Sequence, residues 1–233
     1  MKTHDYKNYH EEYAKLGFTG TYFLAFRDIH ELTKGLSGKA LDYGCGAGRS
    51  TLFVKNLGFE TVGVDINADM LNDAKQADSS GEYKLIESGR IPYAADMFDF
   101  VFSSFVFLEV SSLEEIENIM KESKRVLKPD GRFIFITNSI TDCTGEWISF
   151  SYDFPENKKE LKSGDTLKLL IKNGNIVLYD YYWSEADYKS AISRAKLDLE
   201  KIHRPLGRTN DGIEWKDESK KENFAIYILK KWN

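Results

Sequence analysis

Cysteine is scarce: Cys45 and Cys143 are the only two in 233 residues. They lie far apart and neither sits in a Cys-x-x-Cys pair, so no zinc ligand set and no disulfide framework is expected, and both thiols should be free. Proline is also rare, at 4 residues, and repeats or low-complexity tracts are lacking, which argues against a disordered chain. No apolar run approaches the roughly 18–20 residues needed to cross a bilayer. The opening MKTHDYKNYHEEY has none of the apolar centre of a secretory signal, so a cytoplasmic protein without a membrane partner is expected. Positive charge is not in excess either: 32 Lys and Arg stand against 37 Asp and Glu, a net charge of −5. Binding through phosphate neutralisation needs clustered basic residues, and a nucleic-acid partner is therefore disfavoured.

Hydrophobic residues make up 42% of the chain and charged residues 30%, enough to bury one core. The length suits a single α/β domain with a modest insertion. Between residues 39 and 138, short apolar runs alternate with helical patterns, as in consecutive βα units of a mainly parallel sheet. The expected strands are 40–43, 61–66, 83–86, 98–103 and 132–137. Leu113, Ile116, Ile119, Met120, Val126 and Leu127 fall on one helical face, Ser112 and Glu115 have capping-box spacing, and Pro129-Asp130-Gly131 reads as the turn that follows.

Residues 139–184 break this rhythm. Eight aromatics, Trp147, Phe150, Tyr152, Phe154, Tyr179, Tyr181, Tyr182 and Trp183, crowd into 147–183. The run TLKLLIKNGNIVLYDYY alternates about Asn173-Gly174, an inserted β-hairpin. From 185 to 233 a helix capped by Ser184 and two late strands, about 197–203 and 224–230, complete the chain. In residues 1–38, Tyr6, Tyr9 and Tyr13 recur at helical spacing, followed by Phe18, Tyr22, Phe23 and Phe26. Such stripes usually pack as core; the sharper reading is a helical lid.

The stretch Leu41-Asp42-Tyr43-Gly44-Cys45-Gly46-Ala47-Gly48 stands at the end of the first strand and before a helix. Nucleotide-like ligands bind at such places in open α/β sheets. A dinucleotide fingerprint would require glycine where Arg49 stands, and a phosphate loop would require Gly-Lys-Ser/Thr. With Asp42 ahead of it, this Gly-x-Gly-x-Gly resembles the first motif of class I S-adenosylmethionine-dependent methyltransferases, in particular the small-molecule, type 11-like branch. The resemblance runs from about Lys39 to Ile136. It is carried further by Asp65 in VGVDIN, by Glu87-Ser88-Gly89-Arg90-Ile91-Pro92-Tyr93, by FDFVFSSFVFLEV and by RVLKPDGRFIFI.

The resemblance implies a Rossmann-like, mainly parallel seven-stranded sheet with helices on both faces, an N-terminal helical lid and a hairpin cap after the fifth strand. It implies S-adenosyl-L-methionine as cofactor, with S-adenosyl-L-homocysteine as product. The residues implied to hold it are Asp42, Gly44, Cys45, Gly46, Gly48, Asp65 on the ribose hydroxyls, Ile66 and Met70 flanking adenine, Glu87 and Ser88 near its amino group, and Ser103 and Phe105 beside the methionine part. Cys45 reads as a small filler rather than a nucleophile. Where many relatives end the fourth-strand run with His, this chain has Glu109.

The acceptor is expected to be a small, aromatic or heterocyclic molecule methylated on O or N, enclosed by Tyr9, Tyr13, Tyr22, Asn138, Trp147, Tyr181 and Trp183. Candidate bases are His203, Glu109 and Tyr182, with His10 a further histidine; no metal is expected. Alternatives are RNA or protein methylation, though no Asn-Pro-Pro-Tyr motif or basic domain is present, and a non-catalytic cofactor-binding regulator. A monomer or homodimer is expected, the second if part of the aromatic wall serves an interface.

Overall fold

The structure is a computed structural model that describes residues 18–139 and 143–231. Two short helices, α1 (Thr21–Arg27) and α2 (Ile29–Leu32), precede the alternating core. The core runs β1 (Lys39–Tyr43), α3 (Arg49–Asn56), β2 (Glu60–Asp65), α4 (Ala68–Ala77), β3 (Glu82–Leu85), β4 (Phe98–Ser104), α5 (Leu113–Val126) and β5 (Leu127–Asn138). The insertion supplies β6 (Phe150–Ser151), β7 (Thr166–Ile171) and β8 (Ile176–Tyr181), and the chain closes with α6 (Glu185–Arg194), β9 (Leu197–His203) and β10 (Phe224–Lys231).

Seven strands form one sheet in the order β3-β2-β1-β4-β5-β10-β9. The pairs among β1 to β5 are parallel, and β10 is antiparallel to both of its neighbours. The order reverses between β1 and β4, which opens a crevice beyond their carboxyl ends. Both faces are covered, so the central strands read as apolar runs rather than alternations. On one face Leu41, Val101, Phe133 and Phe135 meet Ile116, Ile119 and Met120 of α5 and Tyr188 and Ile192 of α6. On the other, Ala40, Phe100, Phe102, Ile134 and Ile136 meet Leu24 and Ile29 of α1 and α2 and Val54 of α3.

Several sequence expectations change in detail. The helix α5 stops at Val126, and Pro129-Asp130-Gly131 is not a separate turn but lies inside β5. There Phe98 pairs with Leu127 and Phe100 with Arg132, so the extra residues bulge out and the strand re-enters register. Ser112 does cap α5 through the Glu115 amide, but the Glu115 carboxylate accepts from Ser88 Oγ at 2.7 Å instead of closing a capping box. The hairpin forms with Ile171 opposite Ile176, a four-residue connection around Asn173-Gly174, and gains β6 as a third strand. The α6 cap is complete, with Ser184 and Asp187 bonding each other's backbone amides. The described part of the expected lid is core: Leu24, Ala25 and Ile29 are fully buried.

Two acids fasten the outer segments. Glu218, fully buried, accepts from Thr21 Oγ1 at 2.6 Å, from the Ile148 amide at 2.7 Å and from the Lys216 amide at 3.0 Å, tying α1, the insertion and the last loop together. Asp28 accepts from Arg27 Nε at 2.9 Å and contacts His203 Nε2 at 2.8 Å and Arg208 at 3.2 Å. Burial would raise its pKa, but the hydrogen bonds from Arg27 and His203 and the charges of Arg27 and Arg208 outweigh it and hold the carboxyl at about 2. Among the described residues no helix is long and apolar enough to cross a membrane.

Glu218→Ala should destabilise the fold by about 2 kcal/mol, since the buried Thr21 hydroxyl and two partly buried amides lose their acceptor, whereas Glu218→Gln should cost less because the amide oxygen still accepts; urea denaturation measures both. A depressed carboxyl pKa stabilises above the unfolded value and loses that contribution as pH falls through the folded one. Asp28→Asn should therefore cost about 2 kcal/mol at pH 7 and progressively less as pH falls from the ordinary carboxylate range to about 2, as denaturation curves across pH would show.

Candidate functional site

The loop after β1 is shaped by what cannot be there. Gly44 has φ +74°, and a Cβ on it would lie 2.1 Å from Val106 Cγ2, in the segment leaving β4. Its amide and that of Cys45 both donate to the Val64 carbonyl, and the Gly46 amide donates to Asp65 Oδ2 at 2.7 Å. The backbone is thus exposed to the crevice and pinned to the end of β2. Gly48, in the left-handed region, starts α3. Cys45 is buried beside Leu71, Ala74 and Tyr83, and burial pushes its thiol well up, as expected of a filler.

Asp65 is fixed on both oxygens, Oδ2 by Gly46 and Oδ1 by the Asn67 amide at 2.8 Å. A carboxylate oxygen has two acceptor directions, so each retains capacity for a hydroxyl donor. Burial raises its pKa, partly opposed by those amides. Beside it Ile66 is 63% exposed and Leu85 58% exposed. These large apolar side chains stand in the open where a flat ring would cover them. Met70 packs its methyl against Gly46.

Buried polar atoms without a partner among the described residues are Asp42 Oδ1, Ser103 Oγ, Ser123 Oγ, Asn138 Nδ2 and both amide atoms of Asn223. Each costs about 1–3 kcal/mol when left unsatisfied. Asp42, Ser103 and Asn138 lie toward the carboxyl ends of β1, β4 and β5, and Asn223 precedes the β10 residue paired with Asn138. Four of these five residues thus lie toward the same edge of the sheet, the one at which the crevice opens. Asp42 does not cap the glycine-loop amides: its Oδ2 accepts from Ser50 Oγ at 2.6 Å and Thr51 Oγ1 at 2.7 Å, because those hydroxyls open α3 directly beneath it. Burial lifts its pKa to about 7, the hydroxyls opposing and the Asp65 charge adding.

Glu87, expected near the adenine amino group, points to solvent and to Arg90. The side chain is 75% exposed and pairs with Arg90 at 2.7 Å, an i,i+3 partner its extra methylene lets it reach. Ser88 is occupied with Glu115. Tyr43, whose hydroxyl accepts from the Gly89 amide at 3.0 Å, holds this loop instead. Phe105, at the exit of β4, has φ +62°, a strained backbone for a bulky residue of the kind found at functional sites.

The expected substrate wall divides. Tyr9 and Tyr13 lie outside the described residues, as does His10. Tyr22 is half-buried, 5.8 Å from Phe105 edge to face, and burial with the nearby Asp180 charge raises its phenol. Asn138 ends β5. Trp147, Tyr181 and Trp183 are packing residues rather than an open wall. Trp147 lies in the core with Phe150, and Tyr181 and Trp183 join the α5–α6 side. The Trp183 indole donates to the Val110 carbonyl at 3.0 Å and the Tyr181 amide to Leu108, which stitches the cap to the segment after β4.

The candidate bases do not converge. His203 ends β9 and is occupied by Asp28. Glu109 follows β4, its amide donating to the Val106 carbonyl at 2.9 Å. Tyr182 is half-buried, and burial with the Asp187 charge raises its phenol, the wrong direction for a base. Among the described residues no group of three His, Cys, Asp or Glu could hold a metal. Sequence reasoning passed over Asp180 and Val106. A signal for Asp180 existed, since strand alternation puts it on the same side as Ile176 and Leu178, a polar residue in an apolar row.

Residues 41–135 match the methyltransferase domain family. Malonyl-[acyl-carrier protein] O-methyltransferase of Enterobacter lignolyticus is 30% identical over 99 residues, 42% of this chain and 38% of that one. N-demethylindolmycin N-methyltransferase of Streptomyces griseus is 26% identical over 160 residues, 66% of this chain and 67% of that enzyme. The crystal structure of an S-adenosylmethionine-dependent methyltransferase from Clostridium acetobutylicum superposes with a TM-score of 0.64 at 16% identity, covering 98% of this chain and 99% of that one. Residues 41–135, which hold the glycine loop, Asp65 and the β1–β4 crevice, thus match a methyltransferase domain, and the fold is that of solved S-adenosylmethionine-dependent methyltransferases.

Proposed function

We propose that the protein transfers the methyl group of S-adenosylmethionine to an O or N atom of a small aromatic or heterocyclic molecule. The observation that carries the cofactor half is the Gly46–Asp65 junction, a carboxylate fixed at the end of β2 by the amide of the glycine loop. Asp65 would accept from the two ribose hydroxyls, Ile66 and Met70 would flank the adenine, and Ser103 and Phe105 would face the methionine end. Asp42 keeps an unfilled acceptor beneath the loop. When bound, the cofactor supplies a methyl on a cationic sulfonium, which a lone pair on the acceptor displaces in line.

The residues of this chain then have three tasks: to bind, to align and to exclude water. Alignment in near-attack geometry is worth on the order of 7–11 kcal/mol in favourable cases. Tyr22, Phe105, Phe150 and Phe224, with ring centroids 5.3–6.1 Å apart, supply apolar walls between the cofactor crevice and the cap. A small acceptor is supported by that enclosure and by the acidic charge balance. O and N acceptors are both named among the similar proteins, in the malonyl-carrier and indolmycin enzymes. His203 is assigned a positioning role through Asp28 rather than a proton-transfer role.

Isothermal titration of S-adenosylmethionine and S-adenosylhomocysteine, with NADH as control, tests the cofactor half. Both sulfur ligands should bind and NADH should not. Asp65→Ala should weaken them by about a hundredfold, as expected for losing two hydrogen bonds to a charged acceptor at about 1.5–3 kcal/mol each. NADH binding in place of the sulfur ligands would reject the assignment.

A further inference from the structure

The cap carries a buried acid, Asp180, that the fold leaves under-partnered. On β8, Ile176, Leu178 and Asp180 alternate onto the inner face, and Asp180 is 3% exposed, opposite the fully buried Leu167. Its one hydrogen bond is from the Tyr152 hydroxyl, long at 3.4 Å. Among the described residues no Lys, Arg or His pairs with it. Leucine would pack this position better, since a buried charge without a partner is costly. Glu218, equally buried, shows the contrast, with three donors on its carboxylate.

The surroundings of Asp180 are aromatic and converge from separate elements. Tyr152 lies 5.6 Å from Phe150, which is 5.8 Å from Tyr22 of α1 and 6.1 Å from Phe224 of β10. Tyr22 in turn is 5.8 Å from Phe105 at the exit of β4. Asn138, at the end of β5, is nine-tenths buried with its Nδ2 unpartnered and lies beside the Tyr152 phenol. The titratable groups facing this cluster are Tyr22, Tyr152, Tyr188 of α6, Cys143 and, toward Tyr22, Arg49 of α3. The Arg49 guanidinium sits over the Phe18 ring at 4.9 Å and does not pair with Asp180.

A buried carboxylate beside aromatic residues, with no cation paired to it among the described residues, suits a ligand that brings the cation: the carboxylate neutralises an ammonium, and aromatic surroundings favour a cation. A neutral ligand would leave the acid unpaired and an anionic one would be repelled. We propose that Asp180, with the Tyr152 hydroxyl oxygen beside it, anchors the ammonium of an amine-bearing acceptor between the cap and the ends of β4 and β5. The inference rests on the methyl-transfer reading and narrows its substrate class to small aromatic amines.

The test compares wild type with Asp180→Asn. Each is titrated with benzylamine, phenethylamine and tryptamine, and with benzyl alcohol, phenethyl alcohol and tryptophol, in the presence and absence of S-adenosylhomocysteine. At least one amine should bind wild type tenfold or more tightly than its alcohol, and Asp180→Asn should lose that preference. No such preference in wild type, or its survival in Asp180→Asn, overturns the proposal. S-adenosylhomocysteine binding is read separately, so its failure would reject the cofactor reading while the amine arms still decide Asp180.

Thermal melts supply a second readout. Burial lifts Asp180 to about 7, with Tyr152 opposing, and a raised carboxyl pKa destabilises the fold as pH rises from the ordinary value through the folded one. The melting temperature of Asp180→Asn minus that of wild type should therefore increase from pH 5 to pH 8. A difference independent of pH would mean that Asp180 is satisfied within the fold, and would overturn the proposal.

Discussion

A side chain at position 44 would bring its Cβ to 2.1 Å from Val106 Cγ2, and that exclusion organises the whole carboxyl edge of the sheet. The chain leaving β1 and the chain leaving β4 press against each other where the strand order reverses, so neither can fill the crevice above. The Gly46 amide then closes onto Asp65, which fixes the loop to β2. A binding surface made of backbone is rigid because the sheet on both sides is rigid. The helices covering the two faces serve that rigidity, as does the stacking of Phe135 on Tyr227 at 4.5 Å.

The buried acids separate structure from function. Glu218 and Asp28 have their oxygens filled by donors from different segments, and they join α1, the insertion and the C-terminal loop. Asp42 and Asp180 are as deeply buried, yet one keeps a bare oxygen and the other a single long hydrogen bond, and burial lifts both to about 7. A folded chain tolerates such groups where a ligand satisfies them, because the cost in the free protein is recovered on binding. The partnerless Ser103 and Asn138 extend the same edge.

The aromatics are divided by their attachment rather than by type. Trp147, Tyr181 and Trp183 lie in core clusters, two of them on the α5–α6 side, and a hydrogen bond from Trp183 to Val110 locks the cap to the segment after β4. Tyr22 and Tyr152 come from distant parts of the sequence and meet near Asp180, with Phe105 against Tyr22. One insertion therefore both closes the fold and brings a buried acid into an aromatic cluster.

Local chemistry was legible in the chain itself. Strand and helix positions follow from apolar periodicity, the Ser184 cap from a short-range hydrogen bond, and the cofactor loop from glycines whose backbone freedom is intrinsic to the residue. Asp65 was readable because its distance along the chain from the loop is set by one βα unit. The acceptor side was not, since it depends on which face of an inserted strand turns inward and which distant rings come to meet it. His203 and Glu87 looked available in sequence, but Asp28 and Arg90 occupy them once the chain folds. The sequence by itself determined the proposed cofactor side, whose glycine loop and Asp65 lie a fixed number of positions apart. Tertiary structure alone decided that no cation among the described residues pairs with Asp180, because pairing is a property of packed neighbours and not of the chain.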